Sequence, residues 1–126
     1  MSRAAKTAVA FGVYLVGLSG LLLLIPNWLI GLFGMAPTSE VWIRVVGMLV
    51  LFLAIYYFQA ARAEETGFLR WSVYLRASVI GFFSMFVLVD LAPPTLLLFA
   101  GIDLASAAWT ALALRQDARH PTEPTR

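Results

Sequence analysis

Four charged side chains lie within or at the edge of long apolar runs: Arg44, Arg76, Asp90 and Asp103. A charge at the bilayer centre costs about 2.5–3.5 kcal/mol on insertion scales. Such residues therefore serve either as a structural network that orients helices or as a ligand, ion or proton site. Their depths differ. Asp90 sits at the outer end of its run, where water can reach it. Arg44, about 5 Å from the outer end of its run, can snorkel outward, and Arg76, about two turns from the inner end of its own, can snorkel inward. Asp103 lies about 12 Å from the nearer end of its run and is too short to snorkel. An ionised Asp103 is expected to meet an arginine from a neighbouring helix, and Arg44 and Arg76 are near-equal candidates. Arg76, Phe83 and Asp90 recur at heptad spacing on one helical face, which lets both arginines join one network.

Other chemistry finds little support. The single histidine, His120, stands beside Pro121 with no second ligand near it in sequence, and reads as solvated. Cysteine is absent, so neither a disulfide nor a cysteine metal site can form. There is no Ser-His-Asp set, no Gly-rich phosphate loop and no zinc spacing. No catalytic residue, metal or cofactor is expected.

The elements that must position these charges are membrane helices. The 126 residues are 61% hydrophobic and 13% charged, with a mean hydropathy of +0.85. A soluble domain averages about 45–50% apolar and about 25% charged, and one this small could not bury so much apolar surface. The expected fold class is all-α: an integral membrane four-helix bundle with a short interfacial helix after the first span. The spans are expected near 5–25, 41–61, 68–91 and 95–114, making one domain over 1–115, and 116–126 reads as a polar tail. Arg3 and Lys6 resemble the start of a signal peptide. The apolar run 7–25 is too long for one and has no A-x-A-like site after it, so a retained anchor is expected.

Punctuation supports these bounds. Pro26 ends the first span. The stretch 28–35 is apolar but too short to cross, and with Trp28 it reads as an interfacial helix capped by Asn27. Ser39 is placed to cap the second span, and Gly67 to stop the helix before the third. Ala8, Gly12 and Ser19/Gly20 form a small-residue face for close helix approach. Neither the alternation of a β-barrel nor an internal repeat is present.

Lys and Arg gather in cytoplasmic loops. Arg3, Lys6, Arg62, Arg70, Arg115, Arg119 and Arg126 fall on one side, and only Arg44 approaches the other. Both termini are therefore expected in the cytoplasm. The scattered basic residues read as topology, and no nucleic-acid partner is expected.

Trp42-x-Arg44-x-x-Gly47, Tyr56-Tyr57 and Asp103-Leu-Ala-Ser-Ala-Ala-Trp109, with the Arg76 helix between them, carry a family likeness. The chain resembles the small four-helix bacterial membrane proteins of DoxX-like or BphX-like type, over most of its length. The resemblance implies a bacterial inner-membrane location and a four-helix bundle, and transfers no catalytic residue. The first functional reading is a non-enzymatic membrane protein, an accessory or small hydrophobic-ligand-binding bundle. A second is a small ion-coupled transporter acting as a homodimer. It resembles the small multidrug-resistance transporters in span number but lacks an acid in its first helix. A third is a membrane enzyme acting on lipid or quinone, with only carboxylates to do acid–base work. Expected partners are the lipid bilayer, a small hydrophobic ligand, and a second copy or a membrane partner protein. What surrounds Asp103 discriminates these readings: dry packing favours structure, a tunnel transport, and a pocket open to lipid ligand binding.

Overall fold

The computed structural model describes residues 1–119. The tail beyond, with His120, lies outside the described residues. The chain forms α1 (Arg3–Leu24), α2 (Pro26–Leu32), α3 (Trp42–Arg62), α4 (Thr66–Leu88) and α5 (Leu97–Arg119), with one 3-10 turn, Pro94–Leu96, before α5. Four helices are long and apolar enough to cross a membrane: α1, α3, α4, and α5 with its leading turn. Their best windows have mean hydropathies of 2.1, 1.8, 1.5 and 1.7. Large apolar side chains such as Phe52, Leu75, Phe82 and Leu112 face outward. Water would oppose that exposure at about 25 cal/mol per Å², whereas lipid does not. The protein is an all-α, multi-pass membrane bundle.

Local chemistry sets the helix ends. Ser2 caps α1, its hydroxyl accepting from the Ala5 amide at 3.1 Å. Pro26 disfavours helical backbone at Ile25, so α1 stops and α2 begins with proline in its first turn. Three helices then end in the same way. The sixth-to-first bonds Met35→Ile30, Glu65→Ala60 and Leu91→Phe86 close α2, α3 and α4 at 3.0, 2.9 and 2.8 Å. Each closure passes through a left-handed residue: Gly34 (φ 73°), Glu64 (φ 52°) and Asp90 (φ 60°).

Four expectations are corrected here. Asp90 is exposed in the turn after α4, not inside a span that runs to 91. Gly67 lies in the first turn of α4, and Glu64 takes the left-handed position assigned to a glycine. Asn27 does not cap α2. It sits within the helix and clasps Thr38, donating to its carbonyl at 3.1 Å and accepting from its amide at 2.9 Å. Val41, not Ser39, precedes α3, with no side-chain cap. In addition, residues 116–119, expected in the tail, continue α5.

The helices pack as two pairs, α1 with α3 and α4 with α5, joined mainly through α1 and α5. Glycine permits the α1–α3 approach. A Cβ at Gly12 would stand 2.7 Å from the Phe58 ring, and one at Gly47 would stand 2.9 Å from Leu22 Cβ. Ala8 and Ser19 are buried on the expected small-residue face, but Gly20 meets nothing. The core gathers at the end that holds the termini: Ala4, Ala5, Ala8, Ala54, Ala61 and Ala113, with Leu69, Phe11 and Tyr57. This end is also clasped at the surface. Asp117 accepts from the Arg3 and Ala4 amides at 3.2 and 3.0 Å, at the positive end of α1. Glu64 accepts from the Ser2 amide at 2.7 Å.

Candidate ligand site beside Arg76

Among the described residues Arg76 is the one arginine driven fully into the bundle, at 4% exposure. Such burial is costly unless its donors are satisfied. They are satisfied by hydroxyls and a carbonyl. Nε donates to the Ser72 carbonyl at 3.3 Å. Nη2 donates to Ser72 Oγ at 3.1 Å and to Thr110 Oγ1 at 2.8 Å. Nη1 donates to Ser106 Oγ at 3.2 Å. A guanidinium only donates, so each hydroxyl accepts from it and passes its own proton outward. Ser72 donates to the Leu69 carbonyl at 2.7 Å, and Ser106 to the Asp103 carbonyl at 2.8 Å. Thr110 thereby donates to Thr7 at 2.7 Å, and Thr7 to the Ala4 carbonyl at 2.7 Å. The charge is thus spread over neutral groups on α1, α4 and α5. Its faces are covered by Phe11 and Tyr57, with ring centroids 4.6 and 5.5 Å from the guanidinium carbon.

Above this floor lies a cavity of about 510 Å³. Its walls are mostly apolar and come from every helix, including Leu18 (α1), Val50 (α3), Val79 and Phe83 (α4) and Phe99 (α5). Arg76 and Asp103 both line it. The helix α2 and the turn that follows line the end away from Ser2, through Leu29, Ile30 and Phe33. Phe33 stacks on Phe99 at 4.3 Å between centroids, and the Thr95 hydroxyl donates to the Phe33 carbonyl. Along its side, α3 and α4 touch little. Tyr57 and Phe68 meet edge to face at 5.2 Å, near the short turn that joins the two helices.

The expected ion pair does not form. Among the described residues the salt bridge present joins the Met1 amino group to Glu64 at 3.9 Å, and neither Arg44 nor Arg76 pairs with Asp103. The physical reason differs for each. Arg44 is exposed and turns its Nη1 to the Leu23 carbonyl, an orphan acceptor at the end of α1. Arg76 is already held by hydroxyls on α4 and α5. Asp103 stands half-buried on the cavity wall, and its carboxylate oxygens take no hydrogen bond from the described residues. Of the four charges, the fold brings Arg76 and Asp103 to one cavity and leaves Arg44 and Asp90 outside it.

Ser72, Ser106, Thr110 and Thr7 were missed as site residues. Their signal was spacing: Ser72 precedes Arg76 by four, and Ser106 precedes Thr110 by four, each pair sharing a helical face. No group of three or more His, Cys, Asp and Glu that could hold a metal occurs among the described residues. The arrangement offers an apolar chamber with a fixed positive donor and a free carboxylate near its floor. Compared with protein-family models, curated proteins and solved structures, the chain matches none of them.

Proposed function

We propose that this protein is a non-enzymatic binding bundle for a small hydrophobic or amphipathic molecule drawn from the bilayer. The observation that carries this reading is the apolar cavity of about 510 Å³ that reaches Arg76 and Asp103. Small-molecule sites fall at about 300–1,000 Å³, mostly apolar, with a few placed polar groups. A side wall where α3 and α4 barely touch supports entry from lipid. The Phe33–Phe99 stack narrows the α2 end of the cavity, which favours binding over a passage through the bundle.

Thermal unfolding in an amphipol, free of single-chain detergent, tests the reading. A single-chain amphiphile that binds the native state raises the midpoint in proportion to ln(1 + [L]/Kd). Val79→Phe, which places a ring in the chamber, should abolish that rise while the variant itself stays folded. If no amphiphile of any head group shifts the wild-type protein, the reading is wrong.

The same proposal includes a bacterial inner membrane and cytoplasmic termini. The DoxX-like and BphX-like likeness supports the first and the Lys/Arg bias the second. Cysteines placed singly at Ser2, Ala36 and Thr66 would be probed in intact cells with an impermeant thiol reagent. Ala36→Cys alone should react. Labelling of Thr66→Cys would invert the topology.

A further inference from the structure

The chemistry of the chamber floor narrows the ligand. Arg76 has five N–H donors, and four are engaged: Nε on the Ser72 carbonyl, Nη1 on Ser106, and both on Nη2. One Nη1 hydrogen is left over, on a side chain that is 4% exposed and lines the cavity. Asp103 supplies the complement. Its carboxylate takes no donor from the described residues, and it lies one helical turn from Ser106, which holds that same Nη1. One turn corresponds to about 5 Å along α5, toward the α2 end. The floor therefore carries one spare donor and one open acceptor, on two side chains that line the same cavity beneath otherwise apolar walls.

Net charge separates the possible heads. Burial without a partner disfavours the charge of Asp103; once it ionises, as alkaline pH favours, it and Arg76 sum to zero. An added anion would face the carboxylate as well as the guanidinium, and an added cation the reverse. A neutral head with a hydroxyl and an ester or amide carbonyl satisfies both groups without unbalancing either. The tail then runs toward Leu29, Ile30 and Phe33 of the α2 end.

Resting on the binding reading above, we infer that the ligand is a net-neutral single-chain amphiphile. Its carbonyl oxygen accepts from Arg76 Nη1, and its hydroxyl donates to Asp103. The glycerol monoester of a long-chain fatty acid represents this class.

The test uses the full chain in an amphipol, free of single-chain detergent, at pH 8, and three probes of equal chain length: the glycerol monoester, the free fatty acid anion and the alkyl ammonium. Affinities are read from thermal midpoints. The wild type should bind the monoester about tenfold or more tightly than either charged probe. Asp103→Asn removes the negative charge and leaves Arg76, so the order should invert in favour of the fatty acid anion. Asp103→Ser provides the same charge change with a smaller side chain. If the wild type prefers the anion or the ammonium, or if both variants keep the wild-type order, the neutral-head inference is overturned while ligand binding stands. If none of the probes shifts the wild type, both the inference and the binding reading fall.

Discussion

The two halves of the bundle solve the same problem differently. At the end holding the termini, alanines meet alanines: Ala5, Ala54 and Ala61 have no exposed surface. In lipid no hydrophobic force draws helices together, so small side chains that let backbones approach supply the attraction through dispersion and polar contacts. At the α2 end the lining residues are large (Leu18, Leu22, Phe33, Phe83, Phe99), yet they enclose about 510 Å³. The α1–α3 pair stays close there too, at Gly47 against Leu22, so the space opens between the two pairs, where α3 and α4 touch little. The hydroxyl network of Arg76 lies at the boundary and belongs to both halves. It locks α1, α4 and α5 together below, and it presents a charged floor above. Tight packing at one end lets the other end stay hollow without the bundle splaying.

That contrast can be broken directly. Adding volume to the alanine end should do the most damage: Ala54→Leu is expected to cost about 1–3 kcal/mol through overpacking. It should lower the thermal midpoint in detergent by more than any other change proposed here. A midpoint unchanged by Ala54→Leu would show that this end is not close-packed. Cutting the link between the halves comes next. Thr110→Val removes the acceptor of Arg76 Nη2 and the partner of Thr7, two bonds of 2.8 and 2.7 Å. The expected loss is about 1–2 kcal/mol, in the range found for interhelical hydrogen bonds in membranes. Thr110→Ser keeps the hydroxyl and should recover most of the loss, whereas equal losses for both variants would point to the methyl group instead.

Adding volume to the hollow end should reverse the sign. Val79→Phe is expected to leave the midpoint unchanged or raise it, by up to about 1 kcal/mol, as cavity-filling changes do. Destabilisation comparable to Ala54→Leu would erase the difference between the halves. The smallest effect concerns Arg44, which lies outside both. Arg44→Gln removes an exposed bond to the last turn of α1 and should cost about 0.3–1 kcal/mol. In a double-mutant cycle it should show no coupling to Asp103→Asn. Coupling between them would restore the ion pair that the sequence suggested.

Much of the architecture was legible from run lengths. A stretch of about 20 apolar residues has one stable form in a bilayer, because a helix satisfies every backbone group internally. Four such stretches, broken at Pro26, at 62–67 and at 92–94, lead to four helices without reference to tertiary contact. The helix ends were less legible. Glu64 and Asp90 occupy left-handed positions that composition assigns to glycine. Glu64 is held there in part by its bond to the Ser2 amide, 62 positions away in the chain. A pattern read locally cannot include that bond.

The charges show the same division. From the sequence alone Asp103 stands out as too deep to ignore, while Arg76 reads as able to snorkel inward. Their partners depend on helix rotation and on which helices adjoin, and these are fixed by side-chain packing between segments distant in sequence. Ser72, Ser106 and Thr110 became the partners of Arg76, with Thr7 joined through Thr110, because α1, α4 and α5 converge at one depth. Hydroxyls of this kind are common in membrane helices and carry no mark of their role. Run lengths and charge positions alone lead to four helices able to cross a membrane, with charge inside them. That Asp103 meets a chamber instead of an arginine follows from packing alone, because hydroxyls on α4 and α5 hold Arg76 and the Leu23 carbonyl draws Arg44 away.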